Sequence, residues 1–454
     1  MKRALAVLLA SLSLFAGLLL APPAAGAEEL SFARAVELAE KHSEILMLRS
    51  SAVKTAGLAL AEARSRLGPE LTFEGGGSYM AHPPLTITVQ PGALSETLLI
   101  PDAPLVFPED KPSGYFELSL QLSQPLYTWG KLQSSVQLAG LGLESSRTDL
   151  AEGKRQLRQD LHTAYFSGVL AGHSLDMLQQ ILDILEQIEE DRKRAFELGS
   201  VNRLSVMEIQ SQIAEVQRRI VQVEEAYATA LEAISVYTDV DPQNLDLNTG
   251  FRQDDPGFSE TELKEKALES SEALKKARLD RERSRANLEL VRGGANLRPD
   301  ISLNLSCELS GQTIPWSKTD WQDSWDLNII AGVGTRGAIF DSGRSQHKLR
   351  QAEEALTASQ LAVDLLSKQI RFQTRQAVEN MRLHGAKIEE SGAALAQAEE
   401  EQKNASRAFE QELLTREQWG MVRIKVLQKR LALLEKKYLF ELALYELESL
   451  AGVP

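Results

Sequence analysis

Two hydrophobic periodicities alternate along this chain, and the alternation occurs twice. The first is helical: Phe32, Val36, Leu38 and Ala39 recur at threes and fours behind Ser31, a residue suited to cap a helix. A second helical run, 43–67, carries Ile45, Leu48, Val53, Leu58 and Ala61 and is stopped by Gly68-Pro69. The period then drops to two. Residues 70–79 read as a short strand. Residues 115–126 read as a longer one, in which Phe116, Leu118, Leu120 and Leu122 alternate with Glu117, Ser119, Gln121 and Ser123. Between them, 81–114 holds seven prolines and no helical period, which predicts a long loop. From Lys131 to Leu198 proline is absent, and Leu157, Leu161, Leu178, Ile181, Leu185 and Ile188 mark an apolar seam. Such a helix is about 100 Å long. The chain turns at Gly199-Ser200-Val201-Asn202, and a return helix over 203–237 spans about 50 Å. That covers half of its partner, and the 43–67 helix is long enough to cover the rest.

The second half replays this plan. Ile301, Leu303, Leu305, Cys307 and Leu309 alternate with polar residues over 300–310, and Leu327, Ile329, Ala331 and Val333 do so over 325–335. A proline-free hairpin, 342–450, follows and turns at 412–415. The match reaches single residues. Leu67-Gly68-Pro69-Glu70-Leu71 answers to Leu297-Arg298-Pro299-Asp300-Ile301, 230 positions on. Leu126-Tyr127-Thr128-Trp129-Gly130-Lys131 answers to Ile339-Phe340-Asp341-Ser342-Gly343-Arg344, 213 on, and Phe196-Glu197 answers to Phe409-Glu410 at the same offset. The chain is a duplicated module, with copies at 28–238 and 258–454. The polar stretch 239–257 reads as a surface linker between them.

Residues 1–27 have the form of a secretory signal: Lys2 and Arg3, an apolar run to Leu20, then Ala25-Gly26-Ala27 as a small-residue cleavage site. An N-terminal membrane anchor is the rival reading, disfavoured by Pro22-Pro23. Beyond residue 27 no apolar run of membrane-helix length occurs, whereas a β-barrel span stays open. The net charge of −14 speaks against nucleic acid. The lone Cys307 excludes an intrachain disulfide and is read as a small apolar residue. The six histidines are scattered, and no catalytic triad, phosphate loop or metal-ligand spacing appears. The expectation is therefore no enzyme, no cofactor and no metal.

The four strands each have one apolar and one polar face, the alternation of a barrel that looks outward at lipid and inward at water. Tyr79, Tyr115, Tyr127, Trp129, Trp316, Trp321 and Trp325 lie at or near strand ends, as interfacial aromatics do. Four strands cannot close a ring. An open edge in lipid leaves backbone groups unpaired at several kcal/mol each. Several chains must therefore share one barrel, and three chains would supply twelve strands.

The order, duplication and spacing of these elements resemble the TolC-like outer-membrane efflux proteins over most of the chain. The carriers are Leu30-Ser31 with Ala35-Val36-Glu37-Leu38-Ala39, the Leu67-Gly68-Pro69-Glu70-Leu71 lead-in, and the Pro125 to Lys131 exit with its twin at Ile339 to Arg344. The resemblance implies a mostly α fold with a small β part. It also implies a homotrimer with a twelve-stranded β-barrel in outer-membrane lipid and a twelve-helix periplasmic tunnel. The implied function is a passive exit duct for an efflux or type I secretion system, working with an inner-membrane transporter and a periplasmic adaptor that docks on the hairpin tips. A periplasmic coiled-coil adaptor or a structural protein of the same fold are the rivals.

The resemblance also carries a tip motif, aromatic-Gly-x-x-Ser/Thr-x-x-acidic-x-x-acidic. The first copy reads Phe196, Gly199, Asn202, Ser205 and Glu208; the second reads Phe409, Glu412, Thr415, Gln418 and Met421, without the glycine and both acids. Ser205, Glu208 and Gln418 are thus candidates for a channel constriction, with Glu208 as a possible ring of charge that selects cations. Gly199, Val201, Asn202, Arg203, Leu204, Leu413, Leu414, Thr415 and Arg416 form the two tips and are candidates for adaptor docking. Arg203 and Arg416 occupy equivalent turn positions where a cation can pair with a neighbouring hairpin.

Overall fold

The computed structural model describes residues 28–79, 87–89, 105–107, 114–247, 250–252, 257, 259–295, 298–311, 319 and 321–452. The predicted signal (1–27), Trp316 and all seven prolines of 81–114 lie outside the described residues. The first copy runs β1 (Glu28–Glu29), α1 (Phe32–His42), α2 (Glu44–Ser65), β2 (Glu70–Tyr79), β3 (Ile87–Val89), β4 (Leu105–Phe107), β5 (Gly114–Tyr127), α3 (Lys131–Glu197) and α4 (Arg203–Thr238). The connector carries β6 (Leu245–Asp246), and the second copy runs α5 (Glu260–Ser270), α6 (Glu272–Gly293), β7 (Asp300–Gly311), β8 (Trp325–Arg336), α7 (Arg344–Glu410) and α8 (Arg416–Ala451). Helix lengths repeat between the copies: 11 residues for α1 and α5, 22 for α2 and α6, 67 for α3 and α7, and 36 for α4 and α8.

The described chain separates into two compact units. One holds Lys54–Ser145 and Arg278–Leu361; the other holds the residues up to Val53, Ser146–Ala277 and those from Ala362 on. The first unit is built on one antiparallel sheet of order β2-β5-β7-β8, so the two copies meet at the β5–β7 ladder. Its register collects like with like. Leu71, Leu122, Leu305 and Ala331 form one row across all four strands, and Phe73, Leu120, Cys307 and Ile329 form the next on the same face. Glu74, Ser119, Glu308 and Asn328 form a row on the opposite face. Ile330 breaks the separation, since it shares the polar face with Gln121 and Ser306. Among the described residues the apolar face is not covered: Phe73 and Ile329 are each 67% exposed.

The exit from β5 is locked to the start of β7. Trp129 and Gly130 take left-handed backbone, φ 54° and 80°, which turns the chain so that α3 starts at Lys131. Lys131 Nζ then lies 2.5 Å from Asp300 Oδ2, and Trp129 Nε1 donates to the Pro299 carbonyl at 2.9 Å. Arg298 stacks over the Trp129 ring at 5.6 Å.

Helix α2 runs antiparallel to the first part of α3. In the sheet-bearing unit Leu60 lies against Gly140, and in the helical unit Arg49 lies against Gly153 and donates to the Asp149 carbonyl. This is the cover expected for the half of α3 that α4 cannot reach. In the helical unit, α3 buries Leu157, Leu161, Tyr165 and Val169 against α1 and α4. Lower on the same helix Leu178, Ile181, Leu185 and Ile188 pack on Ile209 and Ile220 of α4 and on Ile424 and Leu427 of α8.

Two expectations need correction. The stretch 81–114 is not purely loop, because β3 and β4 pair within it as an antiparallel ribbon. Their runs of three residues are too short to show a period. The connector 239–257 is not a plain surface linker. β6 pairs in parallel with β1, Leu245 and Leu247 are buried, and Phe251 joins the α3 core. Its polar average hid three apolar anchors.

Candidate functional site at the hairpin tips

The first tip is closed by a left-handed cap. Gly199 has φ 75°, its N–H donates to the Phe196 carbonyl at 2.9 Å, and the Ser200 N–H reaches the Ala195 carbonyl at 2.8 Å. Asn202 then caps α4 by accepting from the Ser205 N–H at 3.0 Å. The second tip makes the same turn without glycine. Glu412 takes φ 60° and donates to Phe409, while Leu413 donates to Ala408 at 2.8 Å. Thr415 caps α8 through a reciprocal box with Gln418, at 3.2 and 3.0 Å. Gln418, a constriction candidate by sequence, thus has its side-chain oxygen engaged in its own helix cap.

The apolar candidates differ in exposure. Leu204 and Leu413 are 61% and 71% exposed, joined by Leu198 and Met207, whereas Val201 and Leu414 are half-buried. Arg203 is exposed at the first tip. Arg416 lies 3.6 Å from Asp191 on α3, so it reaches the other hairpin of the same chain.

A second ionic contact ties the two hairpins together near this point. Arg192 on α3 makes a two-pronged contact with Glu417 on α8, at 2.5 and 3.2 Å, and donates to the Ser205 carbonyl at 2.6 Å. Glu208 stands 3.7 Å from the same guanidinium. The hydrogen bond to Glu417 and the charges of Glu417 and Glu208 raise the Arg192 pKa against the effect of burial. The predicted constriction residues Ser205 and Glu208 are therefore brought together, by one arginine that sequence reasoning did not single out. In the second hairpin Trp419 stacks on Phe409 at 4.9 Å, donates to Ser406 Oγ at 3.2 Å, and has the Arg423 guanidinium over its ring at 4.7 Å. Trp419 was missed too; its position four residues after the cap was the available signal.

The densest polar cluster lies elsewhere in the helical unit. Glu441 on α8 is fully buried and accepts from the Arg252 backbone N–H at 2.9 Å, from the Arg252 guanidinium at 2.9 and 3.0 Å, and from His162 at 3.2 Å. Arg252 also grips Glu448, and Tyr445 stacks on His162 at 3.8 Å. Burial pushes the Glu441 carboxyl up, but the His162 and Arg252 hydrogen bonds and the Arg252 charge outweigh it and hold the group below its usual range. Burial dominates at His162 and holds the imidazole below its usual value. Glu441 is thus an ionised acceptor and His162 a neutral donor. The cluster clamps the connector to α8 through Arg252 and Glu441. Among the described residues no His/Cys/Asp/Glu group could hold a metal.

The chain is a duplicated module of a four-stranded two-faced sheet and paired helical hairpins, and the comparisons with known proteins follow that architecture. Residues 39–238 match the family model described as Outer membrane efflux protein. No curated protein matches the chain in sequence. Solved structures share the fold across both copies. CusC superposes with a TM-score of 0.73 at 16% identity, covering 94% of this chain and 93% of that one. The CmeC outer membrane channel of Campylobacter jejuni gives 0.73 at 15%, covering 93% and 85%. The open-state MtrE outer membrane channel of Neisseria gonorrhoeae gives 0.72 at 13%, covering 95% and 93%. The family match is thus confined to the first copy, and the fold of these channels extends over both.

Proposed function

We propose that this protein is the outer-membrane exit duct of a tripartite efflux or secretion system. It conducts substrates passively from a periplasmic adaptor and an inner-membrane transporter to the outside. The observation that carries this is the sheet register: apart from Ile330, the four strands set their large aliphatic residues on one exposed face and most of their polar residues on the other. An exposed apolar face is costly in water and favourable in lipid, and the polar face then lines an aqueous lumen. Strands β2 and β8 are open edges, so the working particle is a closed ring, which three copies complete with twelve strands. Purified mature protein is expected to run as a heat-modifiable trimer and to form discrete pores in a planar bilayer. A water-soluble monomer that never conducts refutes the reading.

The tips supply the periplasmic contacts. The exposed Leu204 and Leu413, flanked by Val201 and Leu414, form the adaptor-docking surface, set on the rigid caps of Gly199, Asn202 and Thr415. Charged substitutions at Leu204 and Leu413 should abolish adaptor cross-linking and export while trimer yield holds; unaffected export counts against docking. Glu208 lines the constriction with Ser205 and Gln418. Its charge favours cations, so single-channel cation preference should fall in Glu208→Gln, and an unchanged preference removes that role.

A further inference from the structure

The duplication holds at the level of strand register, and that makes the missing ladder of the ring readable. In the first copy Leu71 pairs with Leu122, and Phe73 with Leu120. Moving the first partner by 230 and the second by 213 gives Ile301 with Thr335 and Leu303 with Val333, and both pairs are present in the β7–β8 ladder. The ladder that joins the copies, β5 to β7, has no twin inside the chain, because β8 and β2 are the two open edges. Resting on the pore reading above, we infer that β8 of one copy pairs antiparallel with β2 of the next in the register that β5–β7 dictates.

The same offsets then assign the contacts. Leu120 opposite Cys307 becomes Val333 opposite Gly77, and Leu122 opposite Leu305 becomes Thr335 opposite Gly75, so the outward rows continue across the junction. On the polar face Ser123 opposite Asn304, whose side chains touch at 3.0 Å, becomes Arg336 opposite Glu74. At the ribbon base the Lys131–Asp300 ion pair becomes Arg344 with Glu70.

The charges test this independently of the offsets. In both transferred polar pairs an arginine meets a glutamate, and all four side chains are exposed in the isolated chain. A slip by two residues keeps the faces but sets Arg336 opposite Gly76 or Thr72, and the charge match is lost. The inferred register also pairs the backbone groups of both edges, which lipid would otherwise leave unsatisfied at several kcal/mol each.

Cysteine pairs read the register directly, in full-length protein whose natural Cys307 is replaced by serine. Within one chain β2 and β8 are three strand spacings apart, about 14 Å, so any disulfide between them is intermolecular. Oxidised Glu74→Cys/Arg336→Cys should give a ladder of dimer and trimer on a denaturing, non-reducing gel. Glu70→Cys/Arg336→Cys, displaced by about 13 Å along the strand, should stay monomeric. Cross-linking of the displaced pair but not the first, in particles that still form pores, overturns the register and leaves the pore reading intact. Absence of both pores and oligomers in the Cys307→Ser parent overturns both. Charge reversal provides a second readout. Glu74→Arg should lower the temperature at which the trimer dissociates in detergent, and adding Arg336→Glu should restore it; no loss, or no rescue, counts against the pairing.

Discussion

The buried carboxylate of Glu441 offers the sharpest test of what holds the connector in place. Glu441→Leu keeps the side-chain size and removes every acceptor. The His162 imidazole N–H, almost fully buried, and the Arg252 backbone N–H then lose their partner. Leaving one buried donor unsatisfied costs about 1–3 kcal/mol, and breaking a buried charged pair from one side about 3–5 kcal/mol. The guanidinium contributes less, because it is nearly half exposed and keeps Glu448 at 2.9 Å. The net loss is therefore about 3 kcal/mol, localised to β6, Arg252 and the facing turn of α8. Native-state hydrogen exchange reads this directly. Amides of 245–252 and 438–445 should exchange on the order of a hundredfold faster at neutral pH, while those of the sheet do not change. Glu441→Gln, which keeps one acceptor, should fall between. If Glu441→Leu leaves protection of the connector unchanged, the cluster does not clamp it and the energetic argument fails.

Other outcomes follow from the same geometry. Both His162 and Glu441 have folded-state pKa values below their ordinary ones, so the unfolded chain binds more protons; stability should be full above about pH 6.5 and fall on acidification, first through the histidine and then below about 4.5 through the carboxylate, as thermal melts from pH 7.5 to 4 will show. Arg192→Ala should loosen the two hairpins from each other by about 1–2 kcal/mol and speed proteolysis near both tips, an effect absent if the Glu417 contact is incidental. Glu412→Gly should stabilise the second tip by about 0.5–1 kcal/mol, because φ 60° is strained for glutamate and free for glycine; a lower melting temperature contradicts that. Trp419→Ala should cost about 1 kcal/mol or more through loss of the Phe409 stack and the Arg423 contact, seen as a tip that is cleaved faster at 409–419.

Elements whose information is local were legible from the residues alone. The period of apolar positions places the long helices, Pro69 and Pro299 bound the strand starts, and Ser31, Asn202 and Thr415 sit where caps are needed. Duplication was readable for the same reason, since each copy repeats its own local signals at constant offsets. The alternation over 115–126 and 300–310 already told which residues share a face, because a strand has only two. What the residues could not show is who stands opposite. The β5–β7 ladder that joins the copies, the placing of Lys131 on Asp300, the grip of Arg192 on Glu417 and the burial of Glu441 under Arg252 all join one element to another far away in sequence, 169 residues on for Lys131 and 225 for Arg192. Such pairings depend on where two elements cross, and a crossing leaves no periodic trace in either one. The connector shows the same limit: its average is polar, and only the packing of Leu245, Leu247 and Phe251 on α3 turned it from a tether into part of the core.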